Sequence, residues 1–374
     1  MKGIKVVQAV GARPNFVKMA PVVQALAERP GFAQRIVHTG QHYDPVLSDE
    51  ILADLDFPAP TDFLGVGSGS HGEQTARTLE SFERILLSDR PDLVVVSGDV
   101  NSTLACALAA AKLGIAIAHV ESGLRSGDWS MPEEINRVLT DRLSDLLFVH
   151  SPEAIDNLVR EGIDPARIHH VGNTMIDSLR RLEPAARRLA RWEEVGVCEH
   201  EYVLVTLHRP ANVDETRRLR AVAGALAEIA GRAPVVFPIH PRTRKRLEDE
   251  GLLQVLDDAG VHCLEPTGYV AFLSLELGAG AIVTDSGGVQ EEAAAFGVRC
   301  YTLRSTTERP ITVSHGTNVV LGEDVGALAG VEPTRRPPAP CMIPLWDGRA
   351  GERIADVLAE SFALEARPAG VVRV

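Results

Sequence analysis

Short, almost continuously apolar runs alternate along this chain with longer segments in which apolar residues recur every three or four positions. Of the runs Ile4–Val10, Arg35–His38, Leu93–Ser97, Ile115–Val120 and Leu146–Val149, all but Arg35–His38 have Gly or Asp on at least one border. Runs of this length with such borders predict buried strands. The segment "NSTLACALAAAKLG", Asn101–Gly114, carries the helical period between two of them. The pattern then restarts at Tyr202–Thr206 and continues through Pro234–Ile239, Val261–Leu264, Ala281–Thr284 and Cys300–Leu303. Strands without polar alternation, separated by helices, predict parallel sheets covered on both faces. The fold class expected is therefore α/β, with two doubly wound Rossmann-like domains facing a cleft. Residues 1–170 form the first, 171–345 the second, and 346–374 a C-terminal helix and tail that follow the Pro-rich connector "RRPPAPCMIP".

Composition narrows the function classes. The 374 residues are too many for one ordinary core. A net charge of −13 opposes general binding to nucleic acid or to a membrane surface. No apolar segment reaches the roughly 18–20 residues of a membrane span, and the opening "MKGIKVVQAVGARP" lacks the form of a signal peptide. The five cysteines, Cys106, Cys198, Cys263, Cys300 and Cys341, have no paired spacing. They read as reduced thiols, and the expected location is cytoplasmic.

Ligands of open parallel sheets bind beyond the carboxyl ends of the strands. Six such ends here are polar: "GARPNF", "SGDVNST", "ESGLRSGDWSMPEE", "LHRPAN", "HPRT" and "DSGG". Those of the first domain between them offer carboxylates: Asp99, Glu121, and the pair Glu133–Glu134. Clustered carboxyls can divide into one ionised base and one protonated acid at neutral pH. Taken singly, Asp99 also reads as a turn or cap residue, Glu121 as a loop charge, and Glu133–Glu134 as acids opposing a helix dipole. Arg13 and Lys18 follow the first strand, while His208–Arg209 and His240–Arg242 follow two strands of the second domain. In "TDSGGVQEEAAAFG", Thr284–Gly297, a strand turns into a helix through Ser286, Gly287 and Gly288. Amides at such a turn suit an anion. Glu292, one turn on, could accept hydrogen bonds from vicinal hydroxyls, or Glu291 and Glu292 could merely stabilise the helix start. A nucleoside diphosphate would satisfy both ends. No GxGxxG directly follows a predicted strand, and there is no P-loop and no HExxH, so neither a dinucleotide nor a metal is indicated.

Taken together, "GARPNFVKMAP", "HTGQHYD", "GDVNSTLA", "HVESGLRSGD…MPEEINR", "GNTMID", "TDSGGVQEE" and "TTERP" make the chain resemble the non-hydrolysing UDP-N-acetylglucosamine 2-epimerases, from about residue 4 to residue 360. The resemblance implies a glycosyltransferase-B-like fold whose C-terminal helix crosses back to the first domain. It implies a cytoplasmic homodimer that uses no cofactor and no metal. The implied reaction epimerises C2 of a UDP-sugar by eliminating UDP, giving 2-acetamidoglucal, and adding it back. It places Asp99, Glu121, Glu133 and His208 among the catalytic residues. Arg13, Lys18, Phe272, Ser286, Gly287, Gly288, Glu292 and Arg309 fall on substrate-binding positions. Gln41, His42, Arg77 and His240 are compatible with a regulatory second UDP-GlcNAc site.

This sequence has "HVESGLR" where "HVEAGLR" is common, and "GDVNST" where some members have "GDTTTT". The substrate expected is UDP-N-acetylglucosamine, giving UDP-N-acetylmannosamine for cell-surface polysaccharide. The rival substrate is a UDP-diacetamido-glucuronic acid, and the non-enzymatic rival is a nucleotide-sugar sensor. A hydrolysing relative and a glycosyltransferase are further alternatives.

Overall fold

The computed structural model describes residues 3–40, 51–336, 339 and 341–365. The chain divides into two compact units: residues 1–178 with 344–374, and residues 179–343. No described helix is long and apolar enough to cross a membrane.

The first unit is built on strands β1 (Ile4–Val10), β2 (Phe32–His38), β3 (Asp62–Phe63), β4 (Leu93–Ser97), β5 (Ala116–Val120), β6 (Leu146–Val149) and β7 (Ile168–His170). They form one sheet in the order β3-β2-β1-β4-β5-β6-β7, every pair parallel. Its helices include α1 (Arg13–Ala27), α2 (His71–Ser88), α3 (Asn101–Lys112), α4 (Pro132–Leu143), α5 (Pro152–Arg160) and α6 (Thr174–Leu189). The chain passes to the second unit within α6. Val7, Val37, Phe82, Leu86, Val94, Val96 and Ile117 make a continuous core between sheet and helices. Each such side chain contributes about 1.5–3 kcal/mol on burial.

The C-terminal helix, Ala350–Glu365, packs on α1. A Cβ at Gly351 would lie 2.6 Å from the Pro21 carbonyl oxygen, so only glycine permits this approach. The Gly351 amide donates to Asp177 Oδ2 at 2.7 Å, which ties the same turn to α6.

The second unit has strands β8 (Val203–Thr206), β9 (Val235–Pro238), β10 (His262–Leu264), β11 (Ala281–Thr284), β12 (Cys300–Thr302) and β13 (Asn318–Val320), in the order β10-β9-β8-β11-β12-β13, again all parallel. Helices α7 (Thr216–Ala230), α8 (Pro241–Asp249), α9 (Tyr269–Gly278) and α10 (Gly287–Phe296) belong to it. Val203, Val205, Leu226, Phe237, Leu247, Leu256 and Val283 form its core.

All ten apolar runs singled out in the sequence coincide with a strand, four with identical bounds and six with bounds shifted by one to three residues. Strand β2 begins at Phe32, ahead of the apolar pattern, because Phe32, Ala33 and Gln34 pair in register with Ile4, Lys5 and Val6 of β1; Arg35 is held by a two-pronged ion pair to Asp62 (2.6 and 2.8 Å). The three strands that patterning misses, β3, β7 and β13, are two or three residues long. That is too short for a period to show. The strand order reverses between β1 and β4 in one unit and between β8 and β11 in the other. Those reversals open a crevice at the carboxyl ends of the flanking strands.

Candidate functional site

In the first unit the loops after β1, β4 and β5 come together. Asn15 joins the first two: its Oδ1 accepts from the Gly11 and Ala12 amides (3.2 and 3.0 Å), and its Nδ2 donates to the Ser97 carbonyl at 3.0 Å. One turn along α1, Lys18 forms an ion pair with Glu121 in which both side chains are largely buried. Glu121 has φ +66°, a left-handed conformation that costs a non-glycine residue about 1–3 kcal/mol. Gly98 lies against this pair: a Cβ there would be 3.3 Å from Lys18 Nζ and 3.5 Å from Glu121 Oε2.

Asp99, the next residue, is ion-paired to Arg137 on α4. Its carbonyl accepts from Asn136 Nδ2 at 2.9 Å. Arg137 also binds Glu134 at 2.7 Å. Glu134 accepts from the Ser126 amide and hydroxyl (both 2.9 Å) and from the Gly127 amide (3.0 Å), so it pins the loop between β5 and α4. Burial alone would raise this carboxyl, but those donors and Arg137 hold it below its ordinary range. Glu133, its neighbour, is exposed on the same first turn.

Behind the loops lies His119. Its Nδ1 is 2.7 Å from Asp141 Oδ1 and its Nε2 is 2.8 Å from the Gly98 carbonyl. Asp141 also accepts from the Gly123 amide (3.1 Å) and from Arg125 (2.7 Å). Full burial opposes its charge, yet His119 and Arg125 outweigh that and keep it ionised below the usual range. This network fixes the backbone on either side of Asp99 and Glu121.

The side chain of Arg13 lies outside the described residues, although its backbone starts α1. Gln41 and His42 also lie outside them. Arg77 sits exposed on α2, 3.7 Å from Glu73, and donates to the Val66 carbonyl at 3.4 Å.

In the second unit the register pairs Thr284 with Thr206, so the residues following β11 and β8 emerge side by side. Asp285, fully buried, accepts from the His208 and Arg209 amides (3.1 and 2.9 Å) and from Asn212 Nδ2 (3.0 Å). It also faces His208 Nδ1 at 3.1 Å. Burial works against this carboxylate, but His208, Asn212 and the Arg209 amide hold it below its ordinary range. His208 is therefore oriented through Nδ1, which leaves its other face, Nε2, for a ligand.

Ser286 caps α10 through its backbone alone. Its amide turns back to Thr284 Oγ1 at 2.9 Å, so of the three amides expected to face an anion, this one is engaged within the turn. The amides of Gly287 and Gly288 belong to the first turn, where a helix supplies no acceptor. Gly287 is required by the Arg309 guanidinium: a Cβ there would lie 2.4 Å from Nη1. Arg309 is itself held by Glu291 at 3.0 Å and Glu308 at 3.5 Å. Glu308 also binds Arg304 through two bonds of 2.7 and 2.8 Å. The first turn of α10 thus rests on a buried guanidinium.

Glu292 accepts from the Tyr269 hydroxyl at 2.7 Å, and Phe272 is half-buried on the same helix, α9. His240 caps α8, its Nδ1 accepting from the Arg242 amide at 3.3 Å, and its ring centre is 5.9 Å from that of His208. Burial, with the nearby His208 and Arg242, lowers its affinity for a proton.

Asp285, His119, Asp141 and Glu308 escape sequence reasoning, although all but Asp141 stand inside quoted motifs. Strand order supplies the signal for Asp285: in adjacent parallel strands of matched register, the residues after each end are neighbours.

The family model for UDP-N-acetylglucosamine 2-epimerase matches residues 24–359. A relative from Methanocaldococcus jannaschii named UDP-N-acetylglucosamine 2-epimerase is 43% identical, over 93% of this chain and 97% of its own. A Pseudomonas aeruginosa relative named UDP-2,3-diacetamido-2,3-dideoxy-D-glucuronate 2-epimerase is also 43% identical, over 85% of this chain and 88% of its own. The crystal structure of the Methanocaldococcus jannaschii UDP-GlcNAc 2-epimerase, in complex with UDP-GlcNAc and UDP, has a TM-score of 0.86 at 40% identity and covers 96% of this chain and 100% of that one. The fold is accordingly of the two-domain glycosyltransferase-B-like kind. The chain belongs to the UDP-N-acetylglucosamine 2-epimerase family.

Proposed function

We propose that this protein interconverts UDP-N-acetylglucosamine and UDP-N-acetylmannosamine by inversion at C2. The observation that carries the reading is the identity to a 2-epimerase over nearly the whole of both chains. The C2 hydrogen has no adjacent carbonyl to acidify it, so direct abstraction to a carbanion is unfavourable. Loss of UDP from C1 together with the C2 proton avoids that carbanion. The C1–O bond breaks with its electron pair going to the diphosphate, the proton goes to a carboxylate, and a C1–C2 double bond forms in 2-acetamidoglucal. Return of UDP to C1 with a proton to the opposite face of C2 gives the epimer.

Asp99, Glu121 and Glu133 are the proton-handling groups. Lys18 is ion-paired to Glu121, and Arg137 to Asp99. Arg13 and Lys18 balance the diphosphate, as do the Gly287 and Gly288 amides with Ser286. Arg309 supports that turn from beneath. Glu292 accepts from the ribose hydroxyls, Phe272 flanks the uracil, and His208 assists departing UDP while Asp285 orients it. No step in this scheme requires a cofactor. Turnover in D2O tests it: UDP-N-acetylmannosamine should carry deuterium at C2 by NMR, and unlabelled product overturns the elimination route.

The second reading, a UDP-diacetamido-glucuronate as substrate, is favoured by the equal identity to the Pseudomonas aeruginosa relative. Competition between the two UDP-sugars in one assay separates them by kcat/KM. We further infer a homodimer. On α4, Ile135 and Leu139 are 38% and 45% exposed. Their four-residue spacing gives one apolar face for a second copy. Sedimentation should give twice the chain mass, and Leu139→Glu should halve it. The expected setting is the cytoplasm, where the product would feed cell-surface polysaccharide.

A further inference from the structure

Beneath Glu292 lies a second carboxyl that the scheme above does not use. Glu276, near the end of α9, is completely buried. Among the described residues no hydrogen-bond donor satisfies either of its oxygens, and no cation pairs with it. The titratable groups that interact electrostatically with it are Glu292 from α10, Cys300 from β12 and the Tyr202 hydroxyl, just ahead of β8. An uncompensated buried carboxylate is costly enough that the group keeps its proton instead. Burial first, and the Glu292 charge second, drive Glu276 well above the ordinary carboxylic-acid range. A protonated carboxyl has one O–H to give, and the acceptor in front of it is Glu292. The other side of Glu292 is fixed by the Tyr269 hydroxyl at 2.7 Å, from the first turn of the same helix that carries Glu276.

We propose that Glu276 is a positioning residue for the nucleotide: it shares one proton with Glu292, and together with Tyr269 it presents Glu292 as a single, oriented acceptor to the ribose hydroxyls. This rests on the reading of Glu292 as the ribose carboxylate. Helix α9 supplies both clamps, so the acceptor's direction is set by one rigid element. Two carboxyls sharing one proton keep a single negative charge where the ribose needs it.

Calorimetry with UDP and 2′-deoxy-UDP on the full-length protein tests this through the preference for the ribose hydroxyl. Glu276→Leu removes the donor while filling the space. It should reduce that preference about tenfold without lowering the melting temperature. Glu276→Gln keeps a donor and should bind UDP as the wild type does at neutral pH. On the alkaline side the wild-type pair loses its shared proton and UDP affinity should fall, whereas Glu276→Gln should stay flat. An infrared difference spectrum, wild type minus Glu276→Gln at neutral pH, should contain a protonated-carboxyl C=O band. If Glu276→Leu keeps the full preference while Glu292→Gln abolishes it, the inference fails and the ribose reading stands. If Glu292→Gln keeps the preference, the ribose reading falls and this inference with it. Absence of the infrared band overturns the shared proton directly.

Discussion

His208 Nδ1 stands 3.1 Å from Oδ1 of Asp285, a carboxylate that also accepts from the backbone amide of His208 itself. Ring and main chain are therefore fixed by one buried group. Asp285→Asn keeps the shape but turns one acceptor into a donor, which opposes an amide or the ring. Turnover should fall on the order of a hundredfold, as for a misoriented general acid–base group. The nitrogen shifts of His208 should report a changed tautomer. Normal turnover with a changed tautomer would show that His208 takes no part in proton handling.

Gly287→Ala should weaken UDP binding more than tenfold and leave the far-ultraviolet circular dichroism unchanged. The added methyl meets Arg309 Nη1 at 2.4 Å and Cζ at 2.7 Å. A loose arginine would step aside, but this one is clamped by Glu291 and Glu308. The clash must therefore move the turn. Calorimetry with UDP decides it, and unaltered affinity would mean that the turn does not touch the diphosphate.

The adjacent acids of α4 should separate cleanly. Glu134 is buried in four bonds to Ser126, Gly127 and Arg137, so Glu134→Ala should cost about 1–3 kcal/mol in urea unfolding. Glu133 is exposed, so Glu133→Gln should leave stability within about 0.5 kcal/mol. It should lower turnover about a hundredfold if Glu133 transfers a proton. Asp99→Asn and Glu121→Gln should each lose at least as much turnover.

Asp177 provides a pH test remote from any ligand. Burial, with the Asp347 charge adding, pushes its carboxyl from 3.8 up to about 6, against the Gly351 and Ala350 amides and Arg353. A raised native value means that the folded chain holds a proton the unfolded chain has lost. The stability this group contributes is complete below pH 3.8 and is lost as pH rises through about 6. That loss is on the order of 2–3 kcal/mol at most. Asp177→Asn is neutral at every pH and still accepts the Gly351 amide. Its melting temperature relative to wild type should rise between pH 4 and 7 and stay level above; a constant difference would refute the assignment.

Patterning found the long strands because buried parallel strands are apolar on both faces and so need no register to be seen. It singled out Asp99, Glu121, His208 and Ser286–Gly288 as candidates because ligands of such sheets bind beyond the strand ends. It could not choose between Glu133 and Glu134, since adjacent residues of a first turn differ by about 100° in direction, and only packing says which one is buried. It could not see Asp285 as the partner of His208, or Glu308 as the hub of Arg209, Arg304 and Arg309. Those relations depend on which strands are neighbours, and strand order is a long-range property. In the sequence Gly287 reads as part of a turn whose amides suit an anion, and its packing partner is invisible there because Arg309 lies twenty-two residues away in the chain.

The seating of Gly351 on Pro21 has a consequence for how the protein is made. Residues 179–343 are contiguous, so that unit can fold as soon as it has left the ribosome. The first unit cannot close until its last helix arrives, although most of it is translated earlier. At ordinary elongation rates α1 waits roughly fifteen to seventy seconds for the C-terminal helix. During that interval the face of α1 that will receive Gly351 lacks its cover, so a nascent chain stalled just short of residue 344 should be the form that chaperones hold.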